Sequence, residues 1–294
     1  MHDRGLVDNS VKQCACMMNE IFRFAVKKGW AQRNIALEAK RKFTSMPSKA
    51  PQKIERYVIP ESDINKIFER FPYGSSCHIP LLLGYWCGLR LGEAYGVAFN
   101  DIDFEKGTLT VNRQMTHVGL DIVMAPPKYD SYRTISLPET LLELLKKVKK
   151  EHEMIRKFNN PKTQHYYVEI KDKEHLHGKI VPYKNDDTEE IFFINLGENL
   201  ELIQDRTSQH LGRVIHYELG IKKYNFHSLR HTHCTNLLEK GANLKFVQFR
   251  MGHRSIKKTL EIYTHLTEQM EKDGRKILND FDKEYNEKLV ENMC

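Results

Sequence analysis

The sequence predicts a mainly α-helical protein with a small antiparallel β-sheet, an α+β fold. Long stretches carry apolar residues at helical spacing and end at glycine or proline. One stretch, residues 107–137, holds short segments in which apolar and polar residues alternate, as they do in half-buried strands. The chain has 294 residues, enough for two domains or one large domain.

The N-terminal part predicts one amphipathic helix over residues 10–28, which basic residues and Gly29 end. A polar, basic stretch with two prolines follows, and we assign residues 46–56 to an interdomain linker. Residues 1–45 would then be a small domain of their own. Because about 40 residues are few for an independent core, we expect only part of a larger helical domain here.

The second domain, residues 57–265, begins with a helix from Pro60 to Phe71 and a strongly apolar helix over 77–87. The sequence Gly-Leu-Arg-Leu-Gly-Glu then places Arg90 between two glycines, with Glu93 three residues later. One interpretation is an ion pair between Arg90 and Glu93. The other is an arginine presented from a rigid corner, whose two donors fork onto a phosphate.

The predicted sheet consists of three strands, at residues 108–111, 122–124 and 132–137. Between the last two strands lies a segment with two prolines and Lys128, which we interpret as the tip of a hairpin. A lysine at such a tip is either a solvated charge or a long side chain that reaches into a groove and donates a proton.

A long helix is predicted over residues 139–158, and another over 204–217. Between them, residues 159–200 are polar and poorly periodic, apart from a short strand or buried turn at 191–194. Three histidines lie in this segment, and we expect them to be solvated and to bind no metal: His165, His175 and His177.

The C-terminal part concentrates the chemistry. His227 and Arg230 share one face of the first turn of a helix that runs to Glu239, where free backbone N–H groups favour an anion. A helix over 243–251 follows, then His253 after a glycine and Tyr263 on a short basic helix. The tail, residues 266–294, is charged, helical in pattern and too thin in apolar residues to stand alone.

The composition limits the classes of function. The net charge of +7 is typical of proteins that meet a phosphate backbone. There is neither an apolar run of about 20 residues, which a membrane span needs, nor a signal-peptide pattern at the N-terminus. The six scattered cysteines are typical of reduced thiols in a cytosolic protein.

Metal-free cleavage of a phosphodiester needs a nucleophile, positive donors for the phosphoryl oxygens, and an acid for the leaving oxygen. The chain offers a phenol, two guanidiniums, two imidazoles and an amine for these tasks. No acidic cluster of the two-metal kind accompanies them. We therefore expect no metal and no other cofactor.

These motifs occur in a fixed order: G-L-R-x-G-E, P-K-x-x-S-x-R, H-x-x-R-H and G-H-x(9)-Y. Together they resemble the tyrosine recombinases, the integrases of phages and conjugative transposons, over about residues 55–270. The resemblance implies a catalytic domain preceded by part of a helical, DNA-binding core-binding domain, without the small arm-binding domain that many integrases carry.

The resemblance also implies a role for each candidate residue. Glu93 would hold the site in order behind the catalytic groups. The catalytic residues share the task of phosphoryl transfer: Arg90 and Arg230 clamp the scissile phosphate, Lys128 protonates the 5′-hydroxyl, His227 assists proton transfer at the tyrosine, His253 hydrogen-bonds a non-bridging oxygen, and Tyr263 forms a 3′-phosphotyrosine link.

The function so implied is site-specific DNA recombination by the integrase of a mobile element. Its partners would be double-stranded DNA and three further copies of the chain in a tetramer on DNA, with residues 266–294 docking on a neighbouring protomer. A DNA-bending protein and an excisionase are candidate accessory partners, and the location would be the bacterial cytoplasm, at the nucleoid. The alternatives are a DNA-binding protein of the same fold that no longer cuts, and a relaxing enzyme like the type IB topoisomerases.

Overall fold

The computed structural model describes residues 8–37, 57–158, 163–172 and 174–255, and the structural statements below concern these residues. The chain divides into two compact units, residues 1–55 and 56–294. Within the described ranges no helix has both the length and the apolar character that crossing a membrane requires.

The first unit contains helix α1, Asp8–Lys27, close to the helix expected at 10–28. After the helix the chain folds back, and Asn34 Nδ2 donates a hydrogen bond to Asn19 Oδ1 at 2.9 Å. Large apolar side chains of this unit are exposed, among them Phe24 and Trp30, whose rings contact each other edge to face.

The second unit is built mainly from helices. Their bounds are α2 Glu61–Arg70, α3 His78–Cys87, α4 Leu91–Gly96, α5 Glu139–Phe158, α6 Thr207–Tyr217, α7 Phe226–Glu239 and α8 Leu244–Met251. Each helix expected within the described part of this unit is present, with ends that differ by at most a few residues. The short basic helix expected at Tyr263 lies outside the described residues. The prediction of a mainly helical fold with small antiparallel sheets is confirmed.

Eight short strands complete the described part of this unit. Their bounds are β1 Ile102–Asp103, β2 Thr108–Val111, β3 Gln114–Val118, β4 Asp121–Ala125, β5 Arg133–Ser136, β6 Tyr167–Asp172, β7 His177–Val181 and β8 Thr188–Glu190. They form two antiparallel sheets, one ordered β1-β2-β5 and the other β3-β4-β7-β6-β8.

The prediction of a single three-stranded sheet was wrong. Strands β2 and β5 pair directly, with Val111 opposite Arg133, whereas β4 pairs with β3 in the other sheet. Alternation along a strand predicts which face is buried but not which strand is the partner. Lys128 therefore lies on a loop that joins two sheets, and not at a hairpin tip.

The segment 159–200 contains three strands that its weak periodicity did not predict, because β6, β7 and β8 carry many polar residues. The expectation that its three histidines are solvated is wrong for His177, which is buried and whose Nε2 lies 2.9 Å from the backbone oxygen of Asn112. In the apolar run 191–194, Phe193 forms an antiparallel β-bridge with Ala98, and backbone hydrogen bonds join Phe192 and Ile194 to residues 97–99. Of the two expectations, the short strand is therefore nearer to the structure than the turn.

Helix α4 lies where two apolar cores meet. Ala94 is buried in the core formed with α2, α3 and the three-stranded sheet, and Tyr95 is buried in the core beneath the five-stranded sheet. Gly92 allows strand β3 to approach α4 closely, since a Cβ atom there would lie 2.6 Å from the backbone oxygen of Met115. The third residue of α4, Glu93, is consequently held in place from two sides.

Candidate active site

Glu93 is the centre of a buried cluster of charged groups. Its side chain is fully buried, and Arg133, the first residue of β5, donates Nη2 to Oε2 at 2.7 Å and Nη1 to Oε1 at 3.2 Å. Arg90 donates Nη1 to the same Oε1 at 2.5 Å, and its backbone N–H donates to Oε2 at 3.0 Å. Two arginines from different elements thus share one carboxylate.

Arg90 immediately precedes α4 and connects three segments. In addition to Glu93, its guanidinium donates to Ser131 Oγ at 3.0 Å and to the backbone oxygen of Gly252 at 3.1 Å. The ion pair that one interpretation expected is therefore present. The side chain nevertheless keeps 15% of its surface exposed, so it is less enclosed than the side chains of Arg133 and Glu93.

Arg230 lies on α7 beneath this cluster and is 1% exposed. Its guanidinium donates to the backbone oxygens of Gly88 and Met251. Burial, together with the nearby charge of Arg90, lowers the pKa of Arg230 to about 9. An anion near this group would offset both effects.

The charges of the cluster do not balance. Burial alone would raise the pKa of Glu93, but Arg133, Arg90 and Arg230 together lower it to about 2. Three guanidiniums act on one carboxylate, which leaves an excess of two positive charges. Buried charge is costly unless it is paired, so this cluster favours the arrival of an anion.

The chain turns sharply at the end of α8, where Gly252 has φ +59° and its oxygen accepts from Arg90. A Cβ atom at Gly252 would lie 3.0 Å from Ser131 Cβ and 3.1 Å from Arg133 Nη1. His253 is thus the residue that directly follows the oxygen bound by Arg90. The His253 backbone is fixed to α8 by Gln248, whose side-chain Nε2 donates to its oxygen at 3.1 Å.

The loop between β4 and β5 presents Lys128 at the surface. Ser131 Oγ donates to the backbone oxygen of Lys128 at 3.0 Å, and Asp130 N donates to the oxygen of Pro127 at 2.9 Å. Tyr129 and Asp130 have φ angles of 65° and 52°, a conformation uncommon for residues other than glycine. Lys128 Nζ is exposed and lies 5.2 Å from the ring centroid of Tyr129.

Of the remaining predicted site residues, His227 lies within the described part of the chain and Tyr263 does not. His227 is exposed in the first turn of α7, with its ring 4.5 Å from that of His231. The amide of Ser228 in the same turn is occupied by the capping side chain of Asn225. Tyr263 and the tail over residues 266–294 lie outside the described residues.

Four polar residues that the sequence did not single out support this site. Ser131 and Arg133 stand in the P-K-x-x-S-x-R motif, so a signal for them was present. For Arg250 and His233 the sequence contained no such signal. In the structure Arg250 Nε donates to His233 Nε2 at 3.0 Å, and Arg250 also donates to the backbone oxygens of Ser136 and Trp86. These contacts hold α8 against α3, α7 and β5.

Two further findings concern ligands and thiols. Within the described part of the chain, no group of three or more histidine, cysteine, aspartate or glutamate side chains is arranged to hold a metal ion. Five free cysteines lie within the described residues: Cys14, Cys16, Cys77, Cys87 and Cys234.

Comparison with known proteins assigns the family. Residues 58–270 match the phage integrase family over most of the chain. The chain belongs to the phage integrase family. All the predicted site residues lie within the matched range.

Curated relatives carry recombinase and integrase names. The chain is 27% identical over 292 residues to the tyrosine recombinase XerC-like protein of Caldanaerobacter subterraneus, covering 95% of this chain and 68% of that protein. It is 24% identical over 287 residues to the ICEBs1 integrase of Bacillus subtilis, with coverages of 95% and 67%. For prophage integrase IntR of Escherichia coli the identity is 24% over 279 residues, and this chain spans 62% of that protein.

Solved structures share the fold. The integrase of transposon Tn1549, in complex with transposon right end DNA, superposes with a TM-score of 0.62 at 20% identity. The match covers 95% of this chain and 82% of that one. A second structure of the same integrase, with a circular intermediate DNA, gives a TM-score of 0.61 at 20% identity. This integrase-family chain therefore has the fold of a transposon integrase.

Proposed function

We propose that this integrase-family chain is a site-specific DNA recombinase of a mobile genetic element, which breaks and rejoins DNA through a 3′-phosphotyrosine. The observation that carries the proposal is the cluster around Glu93. The charges of three guanidiniums act on one carboxylate, and part of the Arg90 side chain remains accessible. A DNA phosphate is an anion that matches this excess charge, and an arginine can bind it with two parallel hydrogen bonds.

The neighbouring groups fit the same assignment. The Gly252 oxygen holds Arg90, and the next residue is His253, whose imidazole is the proposed donor to a phosphate bound at Arg90. The loop that carries Lys128 is joined to Arg90 through Ser131. Positive groups with fixed positions around the phosphoryl oxygens stabilise the charge that develops in the transition state.

In the proposed reaction the Tyr263 oxygen attacks the phosphorus and the bond to the 5′-oxygen breaks. Lys128 donates a proton to that leaving oxygen, while His227 assists removal of the proton from the phenol. The Arg90 and Arg230 guanidiniums clamp the phosphate, and His253 hydrogen-bonds a non-bridging oxygen. Because the phosphodiester is exchanged for a phosphotyrosine ester, rejoining needs no ATP.

DNA is the proposed partner, since its phosphate backbone matches both the site and the net charge of +7. The homo-tetramer on DNA, the tail of residues 266–294 docked on a neighbour, and the accessory proteins belong to the same proposal. So do the domain limits at residues 45, 56 and 265, and a location at the nucleoid.

The decisive experiment is covalent trapping on a substrate with a nick beside the cut, from which the cleaved fragment diffuses away. We expect a covalent protein–DNA adduct with the unmodified chain and none with Tyr263→Phe. Tyr217→Phe, which alters a 79% exposed tyrosine at the end of α6, is the matched control and should form the adduct normally.

The alternatives give different results in the same system. If the unmodified chain forms no adduct but binds the DNA, it is a binding protein of this fold. If it forms adducts and relaxes supercoils without exchanging strands between two duplexes, it is a relaxing enzyme. Sequencing the DNA flanks of the trapped adduct identifies the recombination site.

A further inference from the structure

We propose that Arg133 is a positioning residue, which fixes the loop of Lys128 so that its amine can protonate the leaving oxygen. This inference rests on the function proposed above. Arg133 is the first residue of β5, directly after the loop, and its side chain is 1% exposed. Its donors are directed to Glu93, Ser131 and Arg250, so we expect it to act on the reaction through these groups and not by contacting DNA.

The contacts of Arg133 join three segments. Its Nη1 and Nη2 bind the carboxylate of Glu93 on α4, and Nε donates to the oxygen of Arg250 in α8 at 2.8 Å. Nη1 also donates to the backbone oxygen of Ser131 in the loop, at 3.1 Å. Most of the donors of this guanidinium are therefore used, and together they reach three different parts of the site.

Ser131 transmits this fixation to Lys128. Its hydroxyl donates to the backbone oxygen of Lys128 and accepts from Arg90 Nη1, both at 3.0 Å. Arg133 holds the backbone of Ser131, and Ser131 holds the backbone of Lys128. The lysine thus starts from a fixed point relative to Arg90, although its amine is exposed.

The loop needs such a restraint. Tyr129 and Asp130 both have positive φ, which costs free energy for residues other than glycine. The conformation persists because contacts on either side determine it. Without the Arg133 bond, the loop can relax and Lys128 loses its fixed position.

A lysine at position 133 would keep the charge but not the geometry. A guanidinium presents donors in a rigid fork, whereas an ammonium is a point charge that cannot bind Glu93 with two atoms and also reach Ser131 and Arg250. Arg113 provides a matched control. It is also buried and paired with a buried carboxylate, Asp101, but its hydrogen bonds go to Asp101 and Asn112, outside this network.

The test compares Arg133→Lys with Arg113→Lys on two DNA substrates. One is the ordinary substrate, and the other has sulfur as the bridging 5′ atom, a leaving group that needs no proton. We expect Arg133→Lys to cleave the ordinary substrate about 10²-fold more slowly, the cost of a displacement near 1 Å. On the sulfur substrate it should regain at least tenfold, as Lys128→Ala should. Arg113→Lys should cleave both substrates at the rates of the unmodified chain.

Two outcomes would overturn the inference: an equal loss on both substrates, or an equal loss in Arg113→Lys. If Arg133→Lys does not fold, Ser131→Ala decides, since it removes only the link between Arg90 and Lys128. About a tenfold loss, recovered with sulfur, supports the inference, and an unchanged rate on the ordinary substrate contradicts it. Failure of the unmodified chain to form any adduct would instead refute the proposed function.

Discussion

Two buried carboxylates of the second unit, Glu93 and Asp101, each contact a buried arginine but lie in opposite electrostatic environments. Asp101 accepts from Arg113 and from the backbone N–H of Ala98. Burial raises the pKa of Asp101 despite these partners. Burial also acts to raise the pKa of Glu93, but the charges of its arginines have the larger effect and lower it to about 2. The difference lies in the number of cations that act on each carboxylate.

The comparison separates an ion pair that supports the fold from one that serves a site. Asp101 and Arg113 pair one to one, so their charges cancel and no ligand is needed. Around Glu93 positive charge is in excess, and an anion would complete the balance. A single buried salt bridge is weak evidence even for stability, whereas an unbalanced cluster with one partly exposed arginine indicates an anion site.

The largest effect is expected from removing each carboxylate without changing its shape. Glu93→Gln and Asp101→Asn should each lower the free energy of unfolding by about 3–5 kcal/mol, because buried guanidiniums lose their partner. Added sulfate at constant ionic strength should recover part of the loss in Glu93→Gln. Asp101→Asn should respond to sulfate only as the unmodified chain does. Urea unfolding with and without sulfate measures the free energy of unfolding of each variant. Equal stabilisation of the two variants by sulfate would contradict the difference drawn between the two carboxylates.

A smaller effect is expected at the turn that joins the cluster to His253. Gly241→Ala and Gly252→Ala both place a Cβ at positive φ, +78° and +59°, which costs about 1–2 kcal/mol. Only at Gly252 would the new atom meet Ser131 and Arg133, whereas nothing lies within 4 Å at Gly241. Gly252→Ala should therefore cost about 1 kcal/mol more and should slow cleavage, while Gly241→Ala should not. Equal stability and unchanged cleavage in both variants would show that this contact is unimportant.

A further effect is expected in the pH dependence of stability. Arg250 donates to His233 Nε2, and burial with the charge of Arg250 lowers the pKa of His233 to about 3. The folded chain thus keeps His233 neutral, while the unfolded chain binds a proton below the ordinary value of 6.5. Stability from this group is present above pH 6.5 and is lost as the pH falls towards 3.

In His233→Gln the side-chain amide can still accept from Arg250 but does not titrate. As the pH falls from 6.5 to 4.5, the free energy of unfolding of this variant should decrease less steeply than that of the unmodified chain. The difference in slope should correspond to about one proton taken up on unfolding. His152, whose pKa burial lowers to about 4, still titrates there, so some slope remains. Glu93 contributes only below its ordinary value of 4.5. Urea unfolding across this range measures the slope, and identical slopes with and without His233 would refute the assignment.

The sequence predicted the helices and the order of the motifs well, because helical periodicity and glycine turns are local signals. It mispaired the strands, since the partner of β4 is set by β3 across the turn at Gly119 and not by the pattern of β4 itself. It also missed Arg250 and His233, whose roles arise from contacts between distant segments. Arg133 is the last residue of the P-K-x-x-S-x-R motif, but nothing in the local sequence distinguishes a buried arginine from a solvated one.

The most direct test of the excess positive charge uses the DNA site recovered from trapped adducts, with either a phosphate or a neutral methylphosphonate at the cut. Arg90→Ala should slow cleavage of the phosphate by about 10²–10³-fold but cost little on the methylphosphonate, which lacks one negative oxygen. Arg70→Ala, which removes an exposed arginine paired with Glu218, should slow neither. If Arg90→Ala slows both substrates equally, the cluster around Glu93 does not serve to balance the charge of a DNA phosphate.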